Sequence, residues 1–263
     1  MQELRAWFDP VLLILSPPRC ASTAVARAFW QHPWFSWYLH EPFDRVYHDG
    51  VDRAQVRRVL AAPLCLAPLR EPISPEGRGV IVKEMTFQPG ALLPELLSAT
   101  TLPVVLTVRD PRLAIRSRMR QRQRGGQPEA FPLVESGWLD LLAAATCARS
   151  LGRPYVLVET TRLRADPLAY VPALCARLGV PYHERMLSWR PANDISLGQL
   201  GDAQRHWYEQ VLGSDGLAPP RDELPELTDF AGMRDHVEEC LDVYREILTD
   251  PRMLIPNPRS DEE

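Results

Sequence analysis

At 263 residues the chain is long for a minimal domain and short for two full ones, so one elaborated domain is expected. With 45% hydrophobic and 24% charged residues it is not disordered, collagen-like or coiled-coil, and a net charge of −4 argues against a broad basic face for nucleic acid. No apolar run nears the roughly 20 residues that span a bilayer, and five scattered cysteines without a CxxC pair fit reduced thiols, so a cytoplasmic location is expected.

Val11–Leu15 reads as a first strand, too short for a signal-peptide core, followed by a helix over Ser22–Gln31. A weaker strand follows at Phe35–Leu39. Residues 42–78, with Pro63, Pro68, Pro72 and Pro75, read as an irregular insertion on the acceptor side of a site. Further strands are expected at Val80–Val82, Val104–Val108 and Tyr155–Val158. Helices are expected at Leu113–Arg124, Gly137–Ser150 and Pro167–Leu178, bounded by Gly125-Gly126, Gly152 and the N-terminal Pro167. The strand signal ends near Pro191, leaving an amphipathic helix at Met233–Leu248 with Val237, Leu241, Tyr244 and Leu248 on its apolar face. The alternation predicts an α/β core over residues 1–190, with 191–263 as a helical extension of the same domain.

Charged groups follow every predicted strand: Arg19, then His40 and Glu41, then Lys83 and Glu84, then Arg109 and Asp110, then Glu159. Ligands of open parallel sheets bind beyond the carboxyl ends of the strands, so these groups should converge on one rim. Lys83 is the only lysine among 30 basic residues, a bias that suggests a GC-rich bacterial genome. A lysine kept against that drift marks a place where a compact ammonium is needed, with chance survival as the plain alternative.

Two segments carry anion-binding chemistry. In the first, strand gives way to Ser16–Thr23 and then helix, placing Ser22, Thr23 and backbone N–H groups at a helix start beside Arg19. It departs from G-x-x-x-x-G-K-[ST] at both glycines and the lysine, which disfavours an ordinary nucleoside triphosphatase; a plain turn with Ser22 as N-cap is the structural alternative. In the second, a strand ends in Arg109-Asp110-Pro111, with Ser117 eight residues after Arg109, so that a guanidinium fork and a hydroxyl grip one phosphate.

Together the segments resemble the sulfotransferases that use 3′-phosphoadenosine 5′-phosphosulfate (PAPS). Pro18-Arg19-Cys20-Ala21-Ser22-Thr23 resembles their phosphosulfate loop, with Ala21 where the family has Gly. Arg109-Asp110-Pro111 with Ser117 resembles their 3′-phosphate motif. Tyr155–Pro167 and Leu178-Gly179-Val180 are similar to later family segments, and the likeness covers roughly residues 11–185. It implies a P-loop-like three-layer α/β sandwich with a central parallel sheet. It also implies that Arg19, Cys20, Ala21, Ser22, Thr23, Arg109 and Ser117 bind the donor. Glu41, 22 residues after Arg19, stands where tyrosylprotein-type members carry their base, and Lys83-Glu84 stands in their K-D place.

Sulfuryl transfer needs a base for the acceptor hydroxyl, here Glu41 with His40 in reserve, and cations for the oxygen that leaves, here Arg19 and Lys83. No metal is expected. The expected reaction passes sulfate from PAPS, leaving 3′,5′-adenosine bisphosphate (PAP), to a hydroxyl of a small-molecule acceptor, a bacterial specialised metabolite by composition. The sulfate is either retained or serves as a leaving group. The rival readings are an ATP- and Mg-dependent phosphotransferase with Asp110 as metal ligand, and a non-catalytic nucleotide-binding protein. Trp30, Trp34, Phe35, Trp37 and Tyr38 read as core under the loop rather than an acceptor wall, and Cys20 as a small filler rather than an acidic thiol. Arg112, Arg116, Arg118, Arg120, Arg122 and Arg124 read first as a solvated helix surface and second as a dock for an acidic carrier protein or for the donor's 3′-phosphate.

Overall fold

Strands β1 (Val11–Ser16), β2 (Phe35–His40), β3 (Leu64–Cys65), β4 (Gly79–Met85), β5 (Val104–Val108) and β6 (Tyr155–Glu159) form one sheet in the computed structural model. It describes residues 2–50, 52–69, 78–197, 202–230 and 232–256. The spatial order is β3-β2-β4-β1-β5-β6, and all pairings are parallel except that of the short edge strand β3 with β2. The antiparallel edge strand β3 was not predicted, and β4 is longer than expected, running on through Lys83 and Glu84 to Met85.

The central strands are almost wholly buried aliphatic runs because helices cover both sheet faces. Their side chains alternate between two cores. Leu13, Leu15, Val80, Val82, Leu106 and Leu157 pack with Leu97, Trp138, Leu141 and Val237. Leu12, Ile14, Ile81, Val105 and Val156 pack with Val25, Phe29, Trp30, Val171 and Leu174 on the opposite face. Helices Leu93–Ser98, Trp138–Ser150 and Arg234–Leu248 thus form one outer layer, and Ser22–Trp30 with Pro167–Leu178 form the other. This is the three-layer sandwich expected. No helix among the described residues is long and apolar enough to cross a membrane.

The 42–78 segment is less irregular than its prolines suggest, holding helices Asp44–Asp49 and Arg53–Leu60 and strand β3. Asp52 caps the second helix by accepting from Gln55 N at 2.9 Å, and Val56 and Leu60 bury its apolar face. Pro72 and Pro75 lie outside the described residues. Trp30, Phe35 and Tyr38 are buried core, as expected of the aromatic run, whereas Trp34 is exposed.

The C-terminal extension folds back over the sheet. The amphipathic helix Arg234–Leu248 packs on Pro111–Arg124 and Trp138–Ser150. Residues 202–212 form two short helical turns held by Arg27, a buried residue of helix Ser22–Trp30. Arg27 donates to Leu212 O at 3.0 Å, to Val211 O and to Arg190 O at 2.8 Å, and its guanidinium stacks on Trp189. A guanidinium on the last carbonyls of a helical turn satisfies acceptors that have no partner within the turn. The extension is thereby fastened to the helix that follows the anion loop.

Candidate active site

The carboxyl ends of β1, β2, β4 and β5 open into a cavity of about 960 Å³. Arg19, Ala21, Ser22, Thr23, Glu41, Lys83, Arg109 and Ser117 all line it. Direction of strand order reverses around β1, where such clefts form.

In the loop after β1, Arg19 and Ala21 adopt left-handed backbone, with φ 65° and 56°. Ala21 therefore holds a left-handed conformation that glycine adopts more readily than alanine. It is also the N-cap of helix Ser22–Trp30, so Ser22 is the first helical residue and not the cap. No side chain caps this helix, and Ala24 N donates to Ala21 O at 3.0 Å, so an anion would meet the helix start at Ser22 and Thr23. Cys20 is fully buried with its thiol toward Pro18 O, and burial pushes its pKa up to about 12. Its side chain is filler, as the sequence suggested, and only its backbone belongs to the loop.

The two anion segments meet directly. Arg19 Nε donates to Ser117 Oγ at 3.2 Å across 98 positions of sequence. Arg19 Nη1 donates to Trp207 O at 2.7 Å, and the guanidinium lies 5.9 Å from the Trp207 ring centroid. Arg109, nearly buried at the end of β5, donates to Asp222 at 3.0 Å. Asp110 accepts from Arg112 N at 2.9 Å and grips the Arg112 side chain, so it caps its helix instead of standing ready as a metal ligand.

Sheet register brings Lys83 and Glu41 together. His40 lies opposite Lys83, and Glu41 N donates to Lys83 O at 2.8 Å, fixing Glu41 one step beyond the strand at φ 45°. Lys83 Nζ donates to Glu41 Oε1 with both side chains buried. Tyr208 Oη donates to the same oxygen at 2.6 Å, and His40 Nε2 lies 3.4 Å from it. Burial alone would raise the Glu41 pKa. The Lys83 ammonium, His40 and the hydrogen bonds from Lys83 and Tyr208 outweigh it and bring the carboxyl down to about 2. Burial drops His40 to about 3, so its ring is neutral, and Tyr38 shares a 2.6 Å hydrogen bond with its Nδ1. Glu84 is buried on the far side of β4 and accepts from Phe43 N and Met85 N, both at 2.7 Å, bracing the turn that carries Glu41. Burial and the Glu41 charge raise its pKa well above the carboxylate range.

The arginines of helix Pro111–Arg124 divide: Arg120 and Arg124 are exposed, as a solvated helix surface requires, whereas Arg118 is largely buried. Arg116, Arg118, Arg120, Arg122 and Arg124 line the cavity, and Arg118 pairs with Glu135 at 2.5 Å under the Phe131 ring. Sequence reasoning missed Tyr208, Trp207, Asp222 and Asp44. The pair Trp207-Tyr208 in a polar tail was the available signal. Asp222 had none.

The sulfotransferase domain family matches residues 135–247. A curated Arabidopsis thaliana protein described as branched-chain-amino-acid aminotransferase-like protein 2 is 28% identical over 118 residues, 44% of this chain and 20% of that protein. The chain thus spans about a fifth of the length of that relative. The sulfotransferase domain of the Synechococcus PCC 7002 olefin synthase superposes with a TM-score of 0.51 at 20% identity, over 90% of this chain and 95% of that one. A sulfotransferase domain from the curacin biosynthetic pathway gives 0.47 at 16% identity, over 89% and 97%.

Proposed function

We propose that this chain, whose residues 135–247 match the sulfotransferase domain family and whose fold is that of a sulfotransferase domain, transfers a sulfuryl group from PAPS to a hydroxyl of a small-molecule acceptor. The observation that carries the reading is the buried Lys83–Glu41 pair facing the cavity that also holds Arg19 and Arg109.

The residues fit the donor. Arg19 and the uncapped helix start suit a phosphosulfate, and Arg109 suits a second, distant phosphate. The cavity is large enough for a nucleotide and a small acceptor together. Glu41 would take the proton of the acceptor hydroxyl as the sulfur–oxygen bond forms. Lys83 would turn from Glu41 to the oxygen joining sulfur to the leaving nucleotide, where charge grows, with Arg19 beside it. Losing the ammonium makes Glu41 a stronger base, so engagement of the donor and activation of the base are linked through one side chain. The arginines of Pro111–Arg124 give the cavity a cationic mouth, suited to an anionic acceptor, free or carried by an acidic protein. All five cysteines are free thiols, which supports a cytoplasmic setting.

Calorimetry with PAP and with ADP on the wild type and on Arg109→Ala tests the proposal. Tight PAP binding that fails in the variant is expected. Preference for ADP, or for ATP with Mg, would replace this reading with the phosphotransferase.

A further inference from the structure

We propose that Tyr208 is a positioning residue of the transfer, holding the Glu41 carboxylate in the orientation from which it takes the acceptor's proton. The inference rests on the sulfuryl-transfer reading above.

Tyr208 is buried, lines the cavity and donates to Glu41 Oε1 at 2.6 Å, a short charge-assisted bond. Lys83 donates to the same oxygen. Two donors on one oxygen fix the plane of the carboxylate, which a single contact leaves free to rotate. Their fates then differ. Lys83 has a second task at the leaving oxygen, whereas the tyrosine hydroxyl has none and stays on Glu41 while the ammonium turns. Burial and the Glu41 charge push the phenol well above its ordinary range, so it remains a donor.

The ring is placed for this. Its edge meets the His40 ring at a centroid distance of 4.5 Å and 87°, and His40 is itself held by Tyr38. The preceding residue, Trp207, accepts from Arg19 through its carbonyl, so adjacent residues of the extension touch the anion loop and the base. Arg27 anchors the turn that follows. The extension therefore reaches into the chemistry instead of merely roofing it.

The test is a double-mutant cycle with Tyr208→Phe, Glu41→Gln and the double variant, following kcat, the KM for PAPS and PAP affinity. Tyr208→Phe is expected to lower kcat roughly 10- to 100-fold, with KM for PAPS and PAP affinity unchanged. In the Glu41→Gln background the same substitution should cost nothing more, because the hydroxyl acts through that carboxylate. Losses that multiply, an unchanged kcat, or loss of PAP binding by the Phe variant would each overturn the inference. Wild-type protein that binds no PAP and transfers no sulfate overturns the broader reading, a result seen before any variant is compared.

Discussion

Arg109 Nη2 donates to the Asp222 carboxylate at 3.0 Å, and Arg120 approaches its other oxygen at 3.7 Å. Arg164 meanwhile holds Ala218 O at 2.8 Å, so the 218–222 stretch lies across the arginine proposed to bind the donor's 3′-phosphate. Asp222 is a half-exposed internal anion that a nucleotide would have to displace. Asp222→Asn removes the competing charge and should tighten PAP binding about two- to five-fold, the scale of an exposed ion pair. Calorimetry at low and moderate salt measures it, and the gain should shrink as salt rises. Weaker binding would show that Asp222 orients Arg109 instead of competing for it.

Lys83 is fully buried and donates to Glu41. Lys83→Met keeps the stem and removes the charge proposed to stabilise the leaving oxygen. We expect kcat to fall about 10²- to 10³-fold, comparable to deletion of one transition-state donor, with PAP affinity changing little. The Glu41 pKa should also rise, since burial alone pushes it upward and the ammonium is the main opposing influence. Turnover that survives in Lys83→Met would remove the lysine from the chemistry and favour the binding-protein reading.

What the sequence made legible follows from what is local. β1, β5 and β6 were readable because a strand buried on both faces is a short aliphatic run with nothing polar to blur it. β4 was cut short because Lys83 and Glu84 look like loop residues, although the end of a central parallel strand is where a charged pair can face a site. The helix Arg53–Leu60 was hidden among prolines despite its Asp52 cap and the Val56/Leu60 spacing. Arg19, Lys83 and Arg109 were found by their places after strands. Tyr208 and Asp222 reach the site only through long-range packing, anchored by Arg27 and Arg164, and no periodicity in the extension records that.

His40 makes an acid-sensitive contribution to stability. Burial lowers its pKa from the ordinary 6.5 to about 3, with Lys83 adding to the drop and Glu41 opposing it. Between those values the unfolded chain binds a proton that the folded one refuses. Stability is therefore full above pH 6.5 and declines as pH falls toward 3. Glu41, held at about 2, contributes stability that is full above its ordinary 4.5 and is lost as pH falls through 2. Asp44 works the other way: burial and Glu41 raise it to about 6, so its contribution is present below its ordinary 3.8 and lost as pH rises through 6. Asp44 and Glu84, both raised, offset this loss, so the test is the difference: between about pH 7 and about pH 4 the urea midpoint of the wild type should drop relative to that of His40→Gln. Equal slopes would mean that the imidazole is not buried neutral.

Ala21 sits at φ 56° and ψ 19°, where an L-residue crowds its own Cβ against the following carbonyl. That conformation costs Ala about 1–2 kcal/mol, while Gly adopts it freely but loses more backbone entropy on folding. Ala21→Gly should therefore stabilise the protein by roughly 0.5–1 kcal/mol net, a rise in melting temperature of about 1–4 °C for a chain of this size. Because Ala21 lines the cavity, removing its methyl also widens the anion loop, and PAP affinity should hold or improve. A lower melting temperature would show that the methyl packs against the loop strongly enough to outweigh its backbone strain, making alanine the fitted residue here.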